Sequence, residues 1–278
     1  QDATPEAVAQ REAKLHLDQP AWQRYAEWLG GAVRGDFGDS LVSGQPVWSE
    51  ARLYLRNTAV LTFIVVIIGV PLSLLLGVAA GLARDRWPDL TISTLSLIAM
   101  SVPGFTVATL LALVFAVKLA WFPAVVTAGP TATLGELMAV IWLPAAALTI
   151  GMAAYIVRTM RTSVIDVMAS DYVTMADVRG LSHSRVLVHH MLPNALLPTL
   201  NVIAINIAWL AGGVVVVETV FSYPGIGSLM LEAVRTRDLP VLMFIAVLGS
   251  VTYVICNLLA DLAAIWFNPR LRTSGRAG

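Results

Sequence analysis

The sequence predicts an all-α protein, a polytopic bundle of transmembrane helices. Of its 278 residues, 57% are hydrophobic and only 13% are charged, whereas a soluble domain covers its surface with about a quarter charged residues. Five apolar runs, at about 57–83, 90–117, 135–157, 195–217 and 241–267, each reach the roughly 20 residues that cross about 30 Å of hydrocarbon as a helix. Composition and run length therefore both predict a protein of the lipid bilayer.

Prolines lie within three of these runs. Pro71, the pair Pro103-Gly104, and Pro144 are expected to interrupt the first, second and third runs. In lipid, such breaks survive where neighbouring helices or polar cavities satisfy the freed carbonyl groups. The interruptions either line a transport pathway or serve helix packing, and the sequence leaves both readings open.

Residues 1–56 are polar and form a segment of their own before the first run. Pro20 suits the first turn of a short amphipathic helix that ends at Gly30-Gly31. The apolar face of this helix comprises Trp22, Tyr25, Ala26 and Leu29. We expect this face to pack on the membrane domain or to lie at the membrane interface.

Arginines set the predicted orientation. They follow the first, third and fifth runs, as Arg84, Arg86, Arg158, Arg161, Arg179, Arg185, Arg270, Arg272 and Arg276. Positive charge concentrates on the cytosolic side of membrane proteins. We therefore expect the loop 158–194 and the tail 270–278 in the cytosol. Residues 1–56 then lie outside.

The longest polar interval between two apolar runs is 169–198, which we call the hook. Asp171 can cap a short helix, Gly180 can end it in a left-handed turn, and Ser182 can cap a second helix. Two short helices that meet at a glycine offer a rigid protrusion. The pattern predicts a docking surface for another protein.

A second polar stretch, 218–240, follows the fourth run, and we call it the far segment. It turns at Pro224-Gly225 and Gly227, and a short helix then follows. We expect its apolar residues Leu229, Met230 and Leu231 inward, and its charged residues near water. Those charged residues are Glu232, Arg235, Arg237 and Asp238. It either gates the outer mouth of a pathway, contacts a docked protein, or merely fills space between spans.

Enzymatic chemistry is not predicted for this chain. The two lysines, Lys14 and Lys118, do not follow glycines, so no phosphate-binding loop of an ATPase exists. The four histidines lack partners at metal-ligand spacing, so no metal site is expected. Ion-coupled carriers usually need ionisable groups deep in the membrane, and the runs carry almost none. Energy must then come from elsewhere, and an ATPase docked on the hook would supply it.

The hook is similar to the cytosolic signature of binding-protein-dependent ABC importers, and most closely to its peptide-permease form. The matching positions are Asp171, Tyr172, Ala176, Gly180, Leu181, Ser182, Leu192 and Pro193. Thr174 and Met175 stand where the family has Glu-Ala, and His190 stands for Ile. Thr at the first of these positions is common in the peptide branch. By resemblance, these residues, including Thr174 and Met175, form the ATPase-coupling loop.

Further motifs resemble the B-type subunit of the peptide permeases. The stretch 34–40 reads R-G-D-x-G-x-S, 218–227 reads E-x-x-F-x-x-P-G-x-G, and 237–240 reads R-D-x-P. The resemblance assigns these last two motifs to an outer gate or a binding-protein contact. Their residues are Glu218, Phe221, Pro224, Gly225, Gly227, Arg237 and Asp238.

The resemblance implies a type I ABC importer permease in a bacterial cytoplasmic membrane. Its expected partners are a homologous C-type permease, two cytosolic ATPase subunits that bind ATP and Mg²⁺, an extracytoplasmic binding protein and the lipid bilayer, with no nucleic acid and no cofactor in this chain. The family has six spans, so a first span before Gln1 is expected. The implied cargo is a dipeptide or oligopeptide. A nickel chelate, glutathione or a sugar remains an alternative, and a secondary carrier is a more distant one.

Overall fold

The computed structural model describes residues 19–267, and helices account for most of them. In chain order these are α1 Ala21–Val33, α2 Val47–Leu82, α3 Trp87–Ser101, α4 Gly104–Leu111, α5 Leu134–Val140, α6 Trp142–Met168, α7 Asp171–Val178, α8 His183–Arg185, α9 Leu192–Gly213, α10 Val215–Phe221, α11 Ile226–Thr236 and α12 Leu239–Phe267. Two π-helical segments, Ala112–Lys118 and Val186–Met191, extend α4 and precede α9. Within 19–267 the β pairing is limited to one isolated bridge between Asp39 and Pro46.

Within residues 19–267, four helices are long and apolar enough to cross a membrane: α2, α6, the stretch Val186–Leu210 that includes most of α9, and the Leu239–Leu259 part of α12. A fifth crossing exists if α3 and the helix Gly104–Lys118 count as one span, because the two meet at an angle of 108°. The predicted all-α, polytopic bundle is therefore confirmed.

The break in the second apolar run lies at Val102 and Pro103. Val102 is extended, with φ −93° and ψ 127°, because a residue before proline is disfavoured in the helical region. Pro103 then precedes the first turn of α4. The predicted span 90–117 is thus a bent pair of helices.

The third run is interrupted next to Pro144, as expected, whereas the first run is not interrupted at Pro71. Pro71 lies inside α2, which continues through it to Leu82, so the predicted interruption at Pro71 is wrong. Pro144 falls in the first turn of α6, where a missing backbone N–H costs nothing. The nearby break in the chain is at Ile141, between α5 and α6.

Several helices extend beyond their apolar runs. α2 begins at Val47 and not at 57, because Val47 and Ala51 are buried against Ile226 and Phe244 of the far segment and α12. α6 continues to Met168 and not to 157. α1 runs through Gly30-Gly31 to Val33. Packing partners, and not hydropathy alone, decide the start of α2 and the end of α6.

Small residues bring α2 and α6 together. Gly69, Ser73, Gly77 and Gly81 repeat at every fourth position of α2, on its buried side. A Cβ added at Gly77 would come within 2.6 Å of the Met160 Cβ, and the other two glycines approach α6 as closely. Such spacing lets helix backbones pack closely where hydrophobic driving force is weak.

We predict that Gly77→Ala lowers the free energy of unfolding by about 1–3 kcal/mol, because the added methyl group overpacks the α2–α6 contact. The measurement is the thermal unfolding midpoint of the purified chain in detergent. Gly151→Ala is the matched control, since a Cβ at this α6 glycine meets no atom within 4 Å. Equal midpoints for Gly77→Ala and the unmodified chain would contradict the packing argument.

Candidate coupling and gating sites

The two predicted sites lie at opposite ends of α6. This helix has 27 residues and is therefore about 40 Å long at 1.5 Å per residue. The hook packs on its last turn, where Val167 and Met168 contact the buried side of α7. Near its first turns, Leu143 of α6 shares a buried apolar cluster with Phe221 and Tyr223, at the start of the far segment.

The first half of the hook is a helix closed by a glycine. The Ser170 carbonyl accepts the amides of Val173 and Thr174 at 3.2 Å, so the helix starts one residue before the predicted cap. Asp171 lies in the first turn, where a carboxylate interacts favourably with the helix dipole. Gly180 has φ 75°, the left-handed conformation that the sequence predicts.

The second half of the hook is more helical than predicted. The Ser182 carbonyl accepts the amides of Arg185 and Val186 and so starts α8. The chain then passes through the π-helical segment into α9 at Leu192-Pro193. Because Pro193 has no N–H, the regular helical bond to the carbonyl four residues earlier is missing there. The polar interval that was expected to end at 194 is thus helical from His183 onward and continues directly into α9.

One side of α7 holds the hook in place. Val173 and Ala176 are buried, and together with Val186 they pack against Val167 and Met168. Leu181 also packs against this cluster. The hook therefore has its own small apolar anchor on the end of α6, and it is a folded protrusion of that helix.

The other side of α7 is apolar and exposed. Tyr172, Met175 and Val178 are 43%, 59% and 77% exposed, and their spacing of three residues places them on one helix face. Thr174, Gly180, Ser182 and Pro193 are exposed as well, and Leu192 is half-buried. This face of α7, which we call the hook stripe, offers the contact area that a partner protein would bury.

At the far segment, the carboxylate of Glu218 is the central group. Glu218 is fully buried and lies on α10, outside the long apolar helices. Its Oε1 accepts the hydroxyl of Thr58 at 2.7 Å, and its Oε2 accepts the amides of Gly227 at 2.7 Å and Ser228 at 3.4 Å. Those amides belong to the first turn of α11, so a side chain from α10 caps α11.

Three consecutive residues of α2 complete this arrangement. The Thr58 Oγ1 accepts the Ile226 amide at 2.8 Å, and the Asn57 side-chain amide donates to the Pro224 carbonyl at 2.8 Å. The Tyr223 hydroxyl donates to the Asn57 carbonyl at 2.8 Å. Arg56 donates to the carbonyls of the loop 118–134. The far segment is therefore fixed to α2 by hydrogen bonds that are mostly buried.

The role of the triplet Arg56-Asn57-Thr58 was not predicted from the sequence. The available signal is its position, because three polar residues stand together at the border of an apolar run. Buried polar groups need hydrogen-bond partners. That rule indicates a network at this border, but it does not name the partners, which come from more than 70 residues away.

The glycines of the far segment are required for a reason other than the expected tight turn. Gly225 has φ −115°, a conformation open to other residues. A Cβ at Gly225 would collide with the carboxylate of Glu218, and a Cβ at Gly227 would collide with the backbone of Val215. Close approach of α10 to the start of α11 thus excludes side chains here.

The prediction that Asp238 lies near water is wrong. Asp238 is buried, and its carboxylate accepts the hydroxyl of Ser40 and the amide of Leu41. Ser40 closes the R-G-D-x-G-x-S motif. The structure therefore brings together two sequence motifs that lie 198 residues apart.

Most residues predicted for an outer gate are buried within the chain. Glu218, Phe221, Pro224, Gly225, Gly227 and Asp238 are all buried, whereas Arg237 is exposed. Leu229 points inward as predicted, but Met230 is 38% exposed. Glu232 and Arg235 are exposed, and they line a pocket of about 560 Å³ together with Glu218 and Tyr54. The buried residues hold the shape of the far segment, whereas its charged residues Glu232, Arg235 and Arg237 face out.

Burial raises the pKa of Glu218 to about 7, while the hydrogen bonds from Thr58, Gly227 and Ser228 favour its ionised form and limit the rise. Since the folded pKa lies above the ordinary value of 4.5, the folded state binds the proton more tightly than the unfolded state. Stability is then highest below pH 4.5 and falls as pH rises toward 7.

We predict that the unfolding midpoint of the unmodified chain falls between pH 4.5 and pH 7 and levels off above. Glu218→Gln, which cannot ionise, flattens that part of the profile. The measurement is thermal unfolding in detergent across this pH range. Glu232→Gln serves as the control, because Glu232 is exposed. An unchanged profile in Glu218→Gln would rule Glu218 out as the source of the pH dependence.

A bundle of long apolar helices, with a folded protrusion at one end and a buried, capped segment at the other, is the architecture of a multi-pass membrane protein. The chain belongs to the family described as binding-protein-dependent transport system inner membrane component, whose model matches residues 69–273. It is an ABC importer permease of peptide type, located in the inner membrane.

Two relatives illustrate the relationship. The chain is 35% identical over 270 residues to a probable peptide ABC transporter permease protein, y4tP, of Sinorhizobium fredii. The alignment covers 97% of this chain and 86% of the relative. It is 34% identical over 274 residues to the glutathione transport system permease protein GsiC of Escherichia coli K12, with 97% and 87% covered.

Solved structures share the fold. The chain matches the MetNI methionine ABC transporter with a TM-score of 0.61 at 18% identity, over 80% of this chain and 96% of that chain. It matches an amino acid ABC transporter with a TM-score of 0.58 at 19% identity, over 76% and 91%. Similarity at these identities establishes the architecture and leaves the cargo to other arguments.

Proposed function

We propose that this chain is the B-type permease subunit of an ATP-driven importer for dipeptides or oligopeptides and forms half of the translocation pathway. The observation that carries the proposal is the hook, an anchored helix pair with an exposed apolar stripe. The names of the relatives support a peptide-like cargo, since one is a probable peptide permease and the other a glutathione permease. Glutathione is the second candidate cargo on the same ground.

The proposed assembly contains three kinds of protein partner. A homologous C-type permease supplies the other half of the pathway, two ATPase subunits bind the hooks, and a binding protein delivers cargo at the far segment. ATP and Mg²⁺ bind to the ATPase subunits, and this chain carries no catalytic residue in the proposal. The hook then lies in the cytosol, and the far segment lies on the opposite side of the membrane.

The ATPase contact follows from the two faces of α7. The buried side fixes the hook to α6, so a force on the hook acts on that helix. The hook stripe, with Tyr172, Met175 and Val178, has the character of a helix that lies in a groove of a partner. Closure of the ATPases would then tilt α6 and switch the bundle between inward-open and outward-open states.

The binding-protein contact follows from the charges of the far segment. Its buried cap through Glu218 keeps α11 in a fixed position. Glu232, Arg235 and Arg237 are exposed on it, and exposed charges favour specificity and encounter rate in protein association more than affinity. We assign these three residues to the docked binding protein and the buried ones to support.

The decisive experiment is ATP hydrolysis by the reconstituted complex, with and without its binding protein. The probes are trialanine and reduced glutathione, each loaded on the binding protein. Stimulation by either supports the ABC importer, and the better probe identifies the cargo class. Uptake of cargo without any ATPase would indicate a secondary carrier.

We predict that Gly180→Val leaves basal ATP hydrolysis near normal but lowers cargo uptake at least tenfold. A Cβ at φ 75° costs on the order of 1 kcal/mol and changes the direction of α8 relative to α7. Open space surrounds Gly180, so the effect comes from the backbone. Gly180→Asn is the matched control, because asparagine tolerates the left-handed region. Normal uptake by Gly180→Val would refute coupling through this turn.

We predict that single cysteines at the exposed positions 172 and 175 crosslink to an ATPase subunit under mild oxidation, whereas cysteines at the buried positions 173 and 176 do not. The neighbouring positions differ only in the face of α7 that they occupy, so each pair contains its own control. The readout is a shifted band on a non-reducing gel. Crosslinks from position 85 but not from 172 or 175 would move the docking site to the α2–α3 loop.

A further inference from the structure

An ion pair between a buried carboxylate and a partly exposed arginine joins α3 to α6 near the hook. Asp89 lies in the first turn of α3 and is 1% exposed. Arg161 of α6 binds its carboxylate with two nitrogens, Nε to Oδ1 and Nη2 to Oδ2, the second at 2.7 Å. Two parallel bonds of this kind fix both the distance and the orientation of the groups that they connect.

The carboxylate of Asp89 also accepts hydrogen bonds from the start of α3 and the turn before it. The Asp85 amide donates to it at 2.9 Å, and the Ser93 hydroxyl donates at 3.0 Å. Asp85 itself has φ 61°, in the left-handed region. The Asp89 side chain thus holds together the start of α3 and the turn before it. Its other two hydrogen bonds connect this region to Arg161 of α6.

The position of the pair connects the hook to the bent helices. Arg161 lies on the same continuous helix, α6, whose last turn anchors the hook through Val167 and Met168. Asp89 lies on α3, which ends at the 108° bend before α4. A displacement of the hook end of α6 therefore acts on α3 through two charge-assisted hydrogen bonds.

α2 and α3 are attached to α6 in different ways. α2 packs on α6 along a row of small residues, and an added methyl group at Gly69, Gly77 or Gly81 would collide with α6. α3 presents mainly exposed apolar residues, such as Leu90, Leu95 and Ile98, and Asp89 is its one fully buried residue within the part that the structure describes. The attachment of α3 to α6 thus depends on this pair far more than that of α2 does.

We propose that Asp89 and Arg161 are positioning residues for transport, which make α3 and the bend move with α6 when the hook moves. The inference rests on the proposed function, because it needs a partner that moves the hook. Arg158 lies one turn earlier on α6 and is exposed. The proposed positioning role therefore belongs to Arg161 and not to Arg158.

The test uses the complete importer, reconstituted with its permease, ATPase and binding-protein partners. Asp89→Asn, Arg161→Gln, the double variant and Arg158→Gln are compared for basal ATP hydrolysis and for stimulation by the binding protein loaded with trialanine or glutathione. Asp89→Asn keeps the shape of the side chain, and Arg161→Lys is a second variant that keeps the charge and loses the two-bond geometry.

We expect basal hydrolysis within twofold of the unmodified complex for every variant. Stimulated hydrolysis falls at least fivefold in Asp89→Asn and Arg161→Gln, and the double variant is no worse than either single one, since groups that act through each other are not additive. Arg161→Lys recovers part of the loss, and Arg158→Gln is unchanged.

Three outcomes would overturn the inference. Full stimulation in both single variants, or losses that add in the double variant, would show that the pair does not transmit movement. Loss of basal and stimulated rates together, with less protein in the membrane, would show a structural role only. Absence of stimulation in the unmodified complex would instead contradict the proposed function, and the inference with it.

Discussion

Close packing of α2 against α6 is the constraint on which the rest of the structure depends. The small residues of α2 place its backbone against Met160 and Val164 of α6, so the two helices form one unit along most of their length. The start of α2 carries the polar triplet that holds the far segment, and the end of α6 carries the hook. Both candidate sites are therefore attached to the same pair of helices, although they lie at opposite ends of it.

Buried polar groups complete this frame at both ends, and each is satisfied by partners from other elements. At the far end, Glu218 caps α11 and Thr58 receives the amide of Ile226. Near the hook, Asp89 takes bonds from α6 and from its own turn. Removing one partner from such a group leaves an unsatisfied donor or acceptor, which costs more than the net value of the bond. Because a broken hydrogen bond costs more than a formed one gains, these buried groups define the geometry of the α2–α6 pair and its ends more sharply than apolar packing alone.

In the proposed importer, the hook and the far segment suit different kinds of partner. The hook exposes apolar side chains over a small anchored core, which suits a persistent contact with a partner that moves it. The far segment buries most of its motif residues and exposes Glu232, Arg235 and Arg237, which suits a partner that arrives and leaves. In the proposed importer, residues that resemble a contact motif, such as Glu218 and Pro224, would serve the contact through the shape that they maintain.

The sequence by itself determined the features that depend on local chemistry: the apolar helices, the bend at Pro103 and the left-handed turn at Gly180. Run length and backbone restriction are properties of a few adjacent residues, so no distant partner is needed to foresee them. Only the tertiary structure decided that α2 passes through Pro71, that Asp238 is buried against Ser40, and that Glu218 caps α11 with Thr58. Each of these outcomes depends on which groups meet from distant parts of the chain, and a buried carboxylate and an exposed one have the same local sequence signal.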